Sequence, residues 1–100
     1  MRLLLPMNSE DVQEAELVKI EDATTWAQLL IEDGELVEVN HAKKWEDFEI
    51  PSEYVVVANS GEYVWPFIEY NMLVLVAPFQ RRIDDILEAY LFKELHELEY

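Results

Sequence analysis

Apolar residues in this chain fall into five short runs and one longer periodic stretch, separated by acid-rich polar segments. The run "RLLLPM" at residues 2–7 is apolar almost throughout, the pattern of a short strand covered on both faces, and Pro6 ends it. "NSEDVQEAELVKIED" has no period and predicts a long loop, with a short extended piece at residues 16–20. In "TTWAQLLIEDGELVEVNH", Trp26, Gln28 and Leu30 alternate with Ala27, Leu29 and Ile31. Asp33-Gly34 is a dipeptide that closes two-residue hairpins, so "ELVEVN" returns as a second strand, although its alternation is imperfect.

Further on, Trp45 and Phe48 lie three apart, which predicts one or two helical turns closed by Pro51. The β-branched run "EYVVVA" reads as a central strand, "NSGEYVWPFIEY" as a helix of two or three turns, and "MLVLVAP" as the last strand. Pro66 is tolerated only in a first turn and pushes Trp65 from helical geometry, so that helix starts late, near Trp65, or kinks. Asn71 suits the left-handed position that ends it. From residue 80, Ile83, Ile86, Leu87, Tyr90, Leu91 and Leu95 recur at helical spacing opposite acids and Lys93, predicting a terminal amphipathic helix that includes His96.

The order is strand, hairpin, short helix, strand, helix, strand, helix. Late alternation of strands and helices implies right-handed parallel crossovers, and the early hairpin adds an antiparallel strand. The expected architecture is α/β, a five-stranded mixed sheet with helices on both faces, forming a single domain over residues 1–100. Its expected core is Leu3, Leu5, Val55, Val57, Leu73, Leu75, Ile86, Leu87 and Tyr90.

Charge narrows the functional classes. The chain has 22 acids against 7 bases, a formal net charge of −15, so phosphate-rich partners are repelled and neither nucleic acid nor an anionic membrane surface is expected. The acidity is that of a solvated surface, or of a face that docks a basic protein partner or mimics nucleic acid. No apolar run is long enough to span a bilayer, and the start of the chain turns acidic too soon for a signal peptide. The absence of cysteine excludes disulfides, thiolate metal sites and cysteine nucleophiles, and fits a cytoplasmic protein.

Candidate chemistry is sparse. "ANSGE" follows a strand and precedes a helix, where Asn59 or Ser60 as a cap, with Gly61, would leave N–H groups facing an anion. Glu62 puts a competing negative charge there, so the stretch reads mainly as a turn. His41 and His96 lie far apart and lack ligand spacing; His41 is the stronger metal candidate, with Glu21, Asp22 and Glu46 as possible oxygen donors. The Arg81-Arg82 pair reads as an ion-pair patch with Asp84 and Asp85, or as a contact to an anionic ligand. No nucleophile–base–acid set, P-loop or dinucleotide fingerprint occurs, so the expectation is a non-catalytic protein.

Two segments carry a family resemblance: "MRLLLPM" followed by "ATTWAQLLIEDGELVEV", and "SEYVVVANSGEYVWPFIEYNMLVLVA" running into "RRIDDILEAYLFKELHEL". In order and spacing they resemble the dinitrogenase iron–molybdenum cofactor biosynthesis family, the small domains similar to NifX and to the C-terminal part of NifB. The resemblance implies a ribonuclease H-like fold and a small accessory or carrier domain for an iron–molybdenum or iron–sulfur type cluster. The family's usual ligand residues are largely missing. "KIEDA" stands where the family has "H-F-G-x-A", "NSG" where it has "G-x-G", and Asn71 where it has glycine. A surviving site is expected where residues 19–23, 40–44 and 59–62 meet beyond the carboxyl ends of the strands. His41 would be its nitrogen ligand, with Asn59 and Ser60 as hydrogen-bond partners. The alternative is an acidic protein-interaction module that kept the fold and lost the ligand.

Overall fold

A computed structural model describes residues 1–99. Six strands, β1 (Arg2–Met7), β2 (Thr25–Glu32), β3 (Glu35–Ala42), β4 (Tyr54–Val57), β5 (Leu73–Val76) and β6 (His96–Glu97), form one mixed sheet in the order β3-β2-β1-β4-β5-β6. The helices are α1 (Trp65–Glu69) and α2 (Ile83–Leu91), with single 3-10 turns at Ile20–Asp22 and Trp45–Asp47.

The class is α/β as expected, with one strand more than the pattern predicted. β1, β4 and β5 run parallel, while β2 and β6 are antiparallel to their neighbours. The added strand comes from the expected terminal helix, which stops early. Lys93 takes the left-handed conformation (φ 59°) and the Glu94 N–H bonds back to the Ala89 carbonyl, so the chain turns and pairs Glu97 with Leu75 and His96 with Val76. His96 therefore lies in a strand and not in a helix.

The period of two in the strands divides the core into two layers. Leu3, Leu5, Ala27, Leu29, Val56 and Leu75 face Ile83 and Ile86 of α2. Leu4, Trp26, Val55, Val57, Val74 and Val76 face Phe67 of α1. Most of the expected core is buried, but Leu73 is 45% exposed at the start of β5, and Leu87 and Tyr90 are only partly covered. The α1 helix starts at Trp65 with Pro66 in its first turn and is followed by Asn71 at φ 63°, as the sequence led one to expect, but its five residues are shorter than the two or three turns predicted. Asp33 (φ 53°) and Gly34 (φ 78°) are both left-handed, the type I′ geometry that matches strand twist in a two-residue hairpin.

Candidate functional site

The connections of β1 and β4 leave in opposite directions. β1 leads back to β2 on one side, and β4 leads through α1 to β5 on the other. Such a switch point opens a crevice at the carboxyl ends of the strands. A proline widens this one. β1 and β4 are paired only at Leu3–Tyr54 and Leu4–Val55, although β1 runs on to Met7 and β4 to Val57. Pro6 has no N–H, and its carbonyl accepts from Val18 while Asn8 donates to Glu16. Residues 16–18 thus take the place beside β1 that β4 vacates. Leu17 is pinned there by donating to the Arg81 carbonyl, and Glu16 bridges to Arg82.

This wedge carries the 3-10 turn Ile20–Asp22 over the crevice. Between it and residues 59–63 lies a groove of about 700 Å³, lined by Lys19, Ile20, Glu21, Trp45, Asn59, Gly61, Glu62, Tyr63, Pro66 and Phe67. Its floor is aromatic. Phe67 stands 4.7 Å from Trp45 and 5.8 Å from Trp26 between ring centroids, and Tyr70 packs edge-on against Trp45 at 5.0 Å. The loop that brings Trp45 there is anchored by buried Gln28, whose amide donates to the Ile50 carbonyl at 2.7 Å and the Ser52 hydroxyl at 2.9 Å.

Glu62 joins the two sides of the groove. One carboxylate oxygen accepts the Ile20 N–H at 2.6 Å and the other accepts the Asn59 N–H at 2.8 Å. The N–H donors that would cradle an anion are therefore held by the chain's own carboxylate. Neither Asn59 nor Ser60 caps α1, whose N-cap is Val64 with no side-chain bond, because the helix begins well past them. The stretch "ANSGE" is a turn closed by its own glutamate.

Of the expected site residues, Asn59 and Gly61 line the groove, while Ser60 and His41 do not. His41 pairs with Ala27 across β2 and β3, so its side chain is on the α2 side of the sheet, opposite the groove floor. It also lies three strand intervals from β4, roughly 14 Å at the usual ~4.8 Å spacing. Residues 40–44 are at the same end of the sheet as the groove but do not reach it. Among the described residues no three His, Asp or Glu side chains converge as metal ligands. The two arginines also part company with their expected partners. Arg81 donates to the carbonyls of Ala77, Gln80 and Pro78, and Arg82 lies 3.5 Å from Glu14. Sequence reasoning missed the aromatic floor, which joins β2, α1 and the loop after β3. The two tryptophans and the phenylalanine were visible in the sequence, but their convergence depends on packing.

No protein-family model and no curated protein matches the sequence. Solved structures do match. The protein PH0822 is 17% identical over 100% of this chain and 97% of its own, with a TM-score of 0.72. A Methanocaldococcus jannaschii protein provisionally described as a dinitrogenase is 13% identical over 99% of this chain and 95% of its own, with a TM-score of 0.76. The chain shares the fold of these small domains. No described helix is long and apolar enough to cross a membrane.

Proposed function

We propose that this chain is a small, non-catalytic accessory domain of the NifX-like, ribonuclease H-like type, acting in the cytoplasm by binding a protein rather than by carrying a metallocluster. The observation that carries this reading is Glu62, whose carboxylate occupies both N–H donors at the switch point. An anionic cluster would have to displace a carboxylate that is covalently part of the site. The orientation of His41 away from the groove supports the same reading, since a cluster in the groove would find no histidine there. The net charge of −15 favours a basic partner.

The test is a paired titration of purified wild type and His41→Ala. Ferrous iron with sulfide under reducing conditions is followed by absorbance, and a short fluorescein-labelled arginine-containing peptide is followed by fluorescence anisotropy. Saturable peptide binding without cluster uptake is expected. Stoichiometric uptake of iron and sulfide by wild type that is lost in His41→Ala would overturn the reading in favour of a carrier.

A further inference from the structure

We propose that the flank of α2 bounded by Phe79 and Phe92 is a docking surface for an arginine-bearing segment of a partner protein. The proposal rests on the protein-binding reading above and gives it a location away from the groove.

Phe79 and Phe92 are 85% and 71% exposed. At 100° per residue, Asp85, Glu88 and Phe92, the residue that follows α2, fall within about 60° of arc, on the exposed side of the helix away from buried Ile83, Ile86 and Ala89. Phe79, Gln80, Asp85, Glu88, Ala89 and Glu94 enclose a depression of about 240 Å³ beside that arc. This is below the roughly 300–1,000 Å³ of small-molecule pockets. It is the size of a place for one side chain.

The chemistry of the walls selects a guanidinium. Asp85, Glu88 and Glu94 make no ion pair among the described residues. The nearby cations lie elsewhere: Arg81 donates to three backbone carbonyls, Arg82 pairs with Glu14, and Lys93 lines a separate depression beside Tyr54 and Tyr90. Phe79 offers a ring face to a planar cation. The turn bearing Phe79 is fixed by the same Arg81 bonds, so little ordering is needed on binding. A second copy of the chain is a poor occupant, because it would bring another net charge of −15 against this face.

The experiment measures binding of a fluorescein-labelled arginine- and leucine-containing peptide to wild type, to the double variant Phe79→Ser/Phe92→Ser, to Glu88→Lys, and to Ile50→Ser as an exposed control on the other face. The exposed phenylalanines can be replaced without loss of core packing, and circular dichroism verifies folding. The expected result is a loss of affinity of about tenfold or more in the double variant and in Glu88→Lys, none in Ile50→Ser, and weakening of wild-type binding by salt. Wild-type binding that survives both sets of substitutions overturns this surface and leaves the protein-binding reading standing. No binding by wild type overturns both. A wild-type dimer in sedimentation that dissociates in the double variant would make a second copy the occupant and overturn the arginine assignment.

Discussion

Replacing Glu62 by alanine tests how the two sides of the groove are held together. The substitution removes the acceptor for the Ile20 and Asn59 N–H groups, at 2.6 and 2.8 Å. A hydrogen bond to a charged group contributes about 1.5–3 kcal/mol. The Asn59 side is exposed and the Ile20 side half-buried, so solvent competition brings the sum of the two to or below the lower limit of about 3 kcal/mol, about 2–3 kcal/mol. For a domain of this size that is a fall in melting temperature of roughly 8–24 °C. Glu62→Gln keeps one acceptor oxygen but turns an NH₂ toward the second donor, so about half the loss is expected. Urea is the right denaturant, since guanidinium chloride would also screen the acidic surface. Hydrogen exchange at the Ile20 and Asn59 amides should accelerate together in Glu62→Ala. Added sulfate or molybdate should stabilise that variant more than wild type, because an anion then replaces the lost carboxylate. A Glu62→Ala protein within about 0.5 kcal/mol of wild type, with unchanged exchange at both amides, would refute the idea that this residue closes the site.

Three further outcomes follow from the same structure. Phe67→Ala should cost about 3–5 kcal/mol in urea unfolding and change the fluorescence of Trp26 and Trp45, since the ring is 1% exposed and touches both; a loss below about 1 kcal/mol would mean the groove floor is not packed as described. Raising salt from about 0.01 M to about 0.15 M shortens the screening length from ~30 to ~8 Å, and should raise the melting temperature by several degrees in a chain of 22 acids and 7 bases; a flat response would show that the acids are already neutralised by pairing. The Tyr90 phenol is held above its ordinary value of 10.0 by burial, then by Tyr54 and Glu53, so the native state keeps a proton that the unfolded chain releases. Its contribution is constant below about pH 10 and lost as pH rises above it; Tyr90→Phe should flatten that alkaline fall, and an unchanged slope between about pH 9 and about pH 11 would count against the assignment.

The strands were legible because each needed apolar residues on a covered face. β6 was not, because His96 and Glu97 are both exposed and pair through backbone alone. The turn before it uses Lys93 in the left-handed region, a conformation normally announced by glycine or asparagine, so the periodic run appeared to continue. Leu73 fits a strand pattern, but its place at the start of β5 leaves it at the rim of the core. At the site, the competition between Glu62 and an external anion was foreseeable from "ANSGE". Its partner across the groove, the Ile20 N–H, is 42 residues away in sequence and follows from the wedge beside Pro6.

The position of His41 turns on a single residue. Counting back from the Asp33-Gly34 turn, a regular hairpin pairs Ile31 with Leu36, Leu30 with Val37 and so on, and would set His41 opposite Trp26, on the groove side. The observed register shifts between Leu30 and Ile31: Ile31 pairs with Leu36 but Leu30 pairs with Glu38, leaving Val37 unmatched. This bulge is where the alternation of "ELVEVN" breaks down, and Val37 is correspondingly exposed. Because side chains alternate with a period of two, one extra residue exchanges the faces of everything beyond it. Val39 thereby gains the α2 face of the sheet, where it packs against the core that includes Leu29, and His41 follows it two residues later, opposite Ala27. Burying Val39 and keeping His41 at the groove are mutually exclusive in this register. The apolar residue favours this register: Val39 is half-covered, which is worth about half of the ~1.5–3 kcal/mol of a fully buried valine, and the shift sets it over buried Leu29.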